Sequence, residues 1–269
     1  MADMISAAVQ SGTYPDGAKR LQQLFDRLDK QSGDKDLAAY VKFRQLAADY
    51  GQQLMERDAD YAELQEQWLK NLEQFVEEFP QSPDSAEAML QLGMTEEFSG
   101  NEDEALQWYA EIVETFPESA QAKKAMGART RLNSVGRQIS LQGESLRDGK
   151  IDLQQYRGNV VLIQYWATWS KCQADMAIIK DLLEKYGKAG FKVIGVNVDS
   201  QAEEVKQFLS ENAVPWPQIF EEGGLDSRPA NELGILTVPT TILVDEQGKV
   251  IDRNVRVAEL DDELKKLVR

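Results

Sequence analysis

The spacing of the apolar residues changes once along this 269-residue chain, and that change limits the fold more than any single motif. Up to residue 132, apolar side chains recur three and four apart, the period of amphipathic helices. Segments 17–31, 36–56, 58–79, 85–99, 102–116 and 119–132 read as helices separated by short polar or Pro/Gly punctuation. Leu69, Leu72, Phe75, Val76 and Phe79 mark one face of a helix that Pro80 stops. Asn133-Ser134-Val135-Gly136 breaks the pattern, and strands then alternate with helices. Val160–Trp166 is a continuous apolar run of strand length, followed by a helix at 173–187, a strand at 191–198 and a helix at 201–212. Apolar residues 242–244 and 250–251 flank Asp245-Glu246-Gln247-Gly248, a hairpin signal, and a last helix covers 258–268. The expected architecture is an all-α domain over 1–136, then an α/β domain over 137–269 with a mixed sheet and helices on both faces.

Charge narrows the partners. There are 46 acidic and 30 basic residues, a net charge of −16, of which −12 falls in residues 1–136 and −4 in the remainder. A surface that acidic repels phosphate backbones and anionic headgroups, which argues against nucleic acid and membrane surfaces as partners. No segment approaches the ~20 apolar residues that span a bilayer. The first residues also lack the basic flank and apolar run of a signal peptide, so the sequence does not choose between a cytoplasmic protein and one written without its export segment.

Two scarcities matter for chemistry. The chain has no histidine, which removes Ser-His-Asp triads, Cys-His dyads and His-ligated metal sites. It has one cysteine, Cys172, so an intrachain disulfide and a Cys-only zinc site are excluded, and only an intermolecular disulfide is open to it. No metal or cofactor site is read from the sequence.

An internal repeat lies in the helical half. FVEEFPQSPDSAEAM (75–89) and IVETFPESAQAKKAM (112–126) are offset by 37 residues, with Phe79/Phe116, Pro80/Pro117, Ser82/Ser119, Ala88/Ala125 and Met89/Met126 coinciding. The stretch between them resembles a tetratricopeptide repeat, with Leu92, Gly93, Gly100, Ala105, Tyr109 and Pro117 at its small, aromatic and proline positions. Glu96 stands where that repeat usually has an aromatic. Gly93 and Ala105 would let two helices approach closely while Tyr109 fills the gap. The resemblance implies a concave groove able to dock an extended, preferentially basic segment of a protein partner.

The second half carries VVLIQYWATWSKCQADMAIIKDLLEKYGKAGFKVIGVNVD (160–199) and GILTVPTTILVDEQGKVI (234–251). These two blocks resemble the thioredoxin-like fold, specifically TlpA-like proteins of the alkyl hydroperoxide reductase/thiol-specific antioxidant superfamily. The resemblance implies thiol–disulfide redox or peroxide-defence chemistry on a thiol or disulfide protein or peptide. Relatives of this type usually work outside the cytoplasm. The chain departs from the family at its centre. Where a Cys-x-x-Cys turn is usual, it reads Trp169-Ser170-Lys171-Cys172-Gln173. Either one residue is lost and Cys172 takes the second cysteine position with Ser170 replacing the first, or Ser170 and Gln173 occupy the two positions. Both registers lack the pair. Gln164 stands where thioredoxin has a buried acid, and a serine without a base does not replace an attacking thiolate.

The candidate nucleophile is therefore Cys172, with Ser170 and Lys171 beside it. A helix N-terminus and the Lys171 cation would together depress its pKa, allowing at most a monothiol exchange or thiol oxidation. In the family, Val238-Pro239-Thr240 is a cis-proline segment that pairs with an extended substrate chain. Trp169 is the aromatic expected to meet the same partner, Trp166 reads as core, and Trp216 reads as a rigid lead-in to a strand. The alternative expectation is a redox-inactive adaptor that binds peptide through the helical groove and the cis-proline face.

Overall fold

The computed structural model describes residues 1–31, 34–147 and 149–268. They form two compact units, Met1–Ala122 and Lys123–Arg269, a division upstream of the composition break at 133–136.

The first unit is built of α1 (Ala2–Gln10), α2 (Gly17–Gln31), α3 (Lys35–Leu54), α4 (Tyr61–Glu78), α5 (Pro83–Ser99), α6 (Glu102–Thr115) and the first residues of α7 (Ala120–Leu132). The repeated motif makes the same turn twice. Phe79 (φ −131°, ψ 55°) and Phe116 (φ −127°, ψ 52°) each leave the helical region at the residue before a proline, where the proline ring disfavours helix. Their carbonyls accept from Ser82 N–H at 3.0 Å and Ser119 N–H at 2.9 Å. The α5 and α6 helices meet where Gly93 faces Tyr109. A Cβ at 93 would lie 2.7 Å from the phenol ring, so only glycine admits that side chain, whose hydroxyl donates to Glu97 at 3.1 Å. Trp68, Leu72, Phe75 and Val76 supply the buried face of α4, and Tyr50 stacks on Trp68 with centroids 4.9 Å apart. The sequence pattern had not singled out α1, whose Asp3 carboxylate takes an ion pair from Arg44 at 2.8 Å.

The second unit centres on a five-stranded mixed sheet. Its strands are β3 (Val160–Trp166), β4 (Phe191–Asn197), β5 (Gln218–Phe220), β6 (Thr240–Val244) and β7 (Val250–Asp252), in the order β5-β4-β3-β6-β7. The β3–β4 and β4–β5 pairs are parallel, while β3–β6 and β6–β7 are antiparallel. A hairpin of β1 (Gln142–Glu144) and β2 (Lys150–Asp152) precedes it, and α8 (Gln173–Tyr186), α9 (Ala202–Glu211), α10 (Arg228–Glu232) and α11 (Leu260–Leu267) follow the strands. Every residue of β3 is buried, as a central strand covered on both faces requires. Val161, Ile163 and Tyr165 enter one core with Leu141, Ile151 and Ala230. Val160, Leu162 and Trp166 enter the other with Cys172, Met176, Trp216 and Leu260. The expected mixed sheet with flanking helices is what the chain forms. The sequence reading did not find β1, β2 or α10, all of five residues or fewer, and read β5 only as a strand entered through Trp216, without bounds. Among the described residues, no helix is long and apolar enough to cross a membrane.

Candidate functional site

Parallel pairing of β3 with β4 carries the chain from Trp166 into a turn, Ala167 to Lys171, that opens onto α8. Antiparallel pairing of Tyr165 with Thr240 places the residues just before β6 alongside the same end of β3. The topology therefore brings Trp169, Ser170 and Cys172 to the same end of the sheet as Val238, Pro239 and Thr240. The Val238–Pro239 peptide bond is cis.

Trp166 is fixed first. Its indole N–H donates to Gln218 Oε1 at 2.8 Å, and its ring packs 5.1 Å from that of Phe208. Gln218 can lie there because Gly195 has no side chain; a Cβ at 195 would sit 1.9 Å from the same oxygen. The turn is then closed by Ser170. Its hydroxyl donates to Ala167 C=O at 2.7 Å and accepts from Ala167 N–H at 3.2 Å, and the residue is only 7% exposed. Ser170 thus ties the turn through two hydrogen bonds to Ala167.

Cys172 lies at the N-cap of α8, and it is fully buried. Its Sγ is 3.6 Å from Ala167 C=O, within the core that contains Trp166, Met176 and Ile179. Burial pushes the thiol pKa up from its ordinary value. The Ser170 hydroxyl pulls the other way, while the carboxylates of Asp175 and Asp199 add to the rise. This is the reverse of the depression expected from a helix N-terminus flanked by Lys171, because desolvation disfavours the thiolate more than the helix end favours it. Lys171 and Trp169 point outward, Trp169 being 63% exposed.

The sequence reading missed a second tie. Asp199, fully buried just beyond β4, accepts from Thr168 N–H at 2.9 Å and Thr168 Oγ1 at 2.8 Å. Asn197 holds that carboxylate, its side-chain amide donating at 2.7 Å and its carbonyl accepting from Asp199 N–H at 2.9 Å. An acid following an apolar strand was the available signal, but its partner lies 31 residues away. Gln164, buried on the α8 face of β3, has no partner among the described residues for either polar side-chain atom.

Beside the turn the chain offers an open edge. Thr237 and Pro239 are exposed, and the main-chain N–H and C=O of Val238 form no hydrogen bond within the chain among the described residues. Thr240 Oγ1 donates to Thr237 C=O at 2.7 Å, which fixes the backbone on either side of Val238 and Pro239. Chemically the site combines an aromatic surface, a free backbone donor and acceptor, and a sulfur withdrawn from solvent. No cluster of three or more metal-ligating side chains occurs among the described residues.

Residues 135–253 match the AhpC/TSA family. The chain is 29% identical over 126 residues to the thiol-disulfide oxidoreductase ResA of Bacillus thuringiensis subsp. konkukian, covering 45% of this chain and 71% of that protein. It is 31% identical over 99 residues to ResA of Geobacillus thermodenitrificans, covering 36% of this chain and 55% of the relative. Among solved structures, a thiol-disulfide oxidoreductase from Bacteroides fragilis is similar at 27% identity and a TM-score of 0.45, covering 48% of this chain and 98% of that one.

Proposed function

Residues 135–253 form a thioredoxin-like domain of the AhpC/TSA family with a single cysteine, and we propose that in this chain the domain binds extended polypeptide without a redox step. The burial of Cys172 carries this reading. A thiol attacks a disulfide as an accessible thiolate, and here the sulfur is neither accessible nor easily ionised. What the family fold retains is the recognition half of the site. Trp169 supplies an exposed indole, and Val238 supplies an unpaired N–H and C=O on the edge beside it. An extended chain laid there would gain strand-like main-chain hydrogen bonds and an aromatic contact. Relatives named thiol-disulfide oxidoreductases support a protein thiol or disulfide segment as the class of ligand, so the proposed ligand is an unfolded or extended protein segment.

The helical unit supports a tetratricopeptide-like reading, since its Phe-Pro turn is made twice with the same backbone angles. Its acidic surface suits a basic segment of such a partner.

The experiment is fluorescence polarisation with a panel of labelled, cysteine-free extended peptides, run beside an insulin-disulfide reduction assay. Wild type and Cys172→Ala should bind alike, and Trp169→Ala should bind roughly tenfold more weakly, the scale of an exposed aromatic anchor. Neither protein should reduce insulin. Disulfide reduction that disappears in Cys172→Ala, or a mixed disulfide trapped on Cys172, would establish monothiol exchange instead and overturn the proposal.

A further inference from the structure

The segment that leads into Val238 is held by a helix outside the family-matched region. One face of α7 meets residues 226–234 through positions 124, 127, 128 and 131, the i, i+3, i+4, i+7 spacing of a single helical stripe. Lys124 pairs with Asp226 at 2.8 Å. Gly127 then lets the two backbones touch, since a Cβ there would lie 2.0 Å from Asn231 C=O and 2.3 Å from Gly234 N. Gly234, at φ +53°, is constrained from the other side, and its own Cβ would lie 2.0 Å from Ala128 N. Arg131, only 6% exposed, closes the stripe. Its Nε donates to Leu233 C=O at 3.1 Å and its Nη2 to Gly234 C=O at 3.3 Å. Burying a guanidinium costs desolvation, and these carbonyls help to offset it while the loop stays where it is.

We propose that α7 is the positioning element of the peptide-binding edge, with Arg131 as its principal positioning residue. This inference rests on the reading of Val238 as a docking strand. The route is short. Arg131 and Gly127 fix Leu233 and Gly234, Ile235 N–H is bonded to Ala230 C=O at 2.8 Å with its side chain in the core, and residues 236–239 follow directly. An edge held in one conformation loses less entropy on accepting a strand.

The test uses the full chain with Arg131→Met, Arg131→Lys and, as a stability control from the same helix, Leu132→Ala, which removes buried apolar volume but none of these bonds. Arg131→Met should accelerate amide exchange at Gly234 and Ile235 by roughly tenfold or more, the scale of lost charge-assisted hydrogen bonds, and weaken peptide binding by a similar factor. Amides of β3 and β4 should be unaffected. Arg131→Lys keeps a cationic donor and should recover part of both effects, and Leu132→Ala should lower the melting temperature without weakening peptide binding. If Arg131→Met proves too unstable to handle, the intermediate effect of Arg131→Lys carries the comparison. Unchanged exchange at Gly234 and Ile235 overturns the inference, as does faster exchange with undiminished binding. A wild-type protein that binds none of the peptides refutes the underlying docking reading, and the exchange arm then decides separately whether α7 holds the loop.

Discussion

Removing the Asp199 carboxylate should destabilise the second unit from a position distant in sequence from the turn it holds. Asp199→Ala strands three donors: the Asn197 side-chain amide, the Thr168 N–H and the Thr168 hydroxyl. Asn197 is 1% exposed, so its donor has no water to turn to, and a hydrogen bond to a charged group is worth about 1.5–3 kcal/mol. Thr168 is only half-buried, and hydration recovers part of its loss. The sum is about 3 kcal/mol, a large fraction of the roughly 5–15 kcal/mol that stabilises a typical domain. For a unit of about 150 residues this lowers the melting temperature by roughly 6–12 °C. Asp199→Asn retains one acceptor oxygen and should lose about half as much. In a chain of two compact units the assay is calorimetry combined with amide exchange at Thr168 and Trp169, which reports the turn itself. A variant within about 0.5 kcal/mol of wild type, with unchanged exchange at those amides, would refute the claim that this carboxylate holds the turn.

Cys172 should give stability a pH dependence of defined sign. Its folded pKa is raised by burial above the unfolded value of about 8.5, so its contribution is complete below that value and is lost as pH rises through the folded one. Unfolding free energy measured from pH 7 to 10 should therefore fall more steeply in wild type than in Cys172→Ala, and parallel curves would contradict the burial argument. In the helical unit, Gly93→Ala should destabilise by about 1–2 kcal/mol despite the better helix propensity of alanine, because the Tyr109 ring occupies the Cβ position. A rise in melting temperature would show that α5 and α6 have room to separate. Gln164→Leu should be neutral or stabilising by about 1 kcal/mol, since neither polar atom of the glutamine is bonded to protein. A loss exceeding that amount in urea unfolding would mean the amide does have a role.

The large elements were legible because each has its own period. Val160–Trp166 could be read to the residue as a buried strand, and the Phe-Pro repeat marked two equivalent helix ends before any coordinates. The alternation after residue 136 carried the mixed sheet. What stayed hidden were features whose meaning lies in a distant partner. Three-residue strands such as β1 and β5 have too few side chains to show a period, and each is defined by its partner, β2 for β1 and β4 for β5. Arg131 reads as an ordinary cation in the last turn of a helix; its bonds to Leu233 and Gly234 C=O, 102 and 103 residues away, tie it to the loop before β6. Cys172 is the sharpest case. Local sequence places it at a helix N-terminus beside a lysine, which argues for an acidic thiol, whereas tertiary burial sets the opposite direction.

That reversal also bounds what thiol chemistry the native chain could retain. To meet a solvent-borne disulfide, the Cys172 sulfur must leave a core it shares with Trp166 and Met176, so the turn above it has to open. Opening breaks the two Ser170–Ala167 hydrogen bonds and the two from Thr168 to Asp199. At a net ~1 kcal/mol for each neutral bond and somewhat more for those to the carboxylate, the opened turn lies about 4–5 kcal/mol above the closed one. Its population is then on the order of one part in a thousand or fewer, and any reaction through it is slowed by that factor before the raised pKa is counted. The proposed peptide docking at Val238 carries no such handicap, since its N–H and C=O form no hydrogen bond within the chain among the described residues and Trp169 is already exposed in the closed state. The same closed turn that suppresses the thiol keeps Trp169 in place. Within this domain, one set of hydrogen bonds therefore both withdraws the sulfur and holds the turn that carries the exposed Trp169.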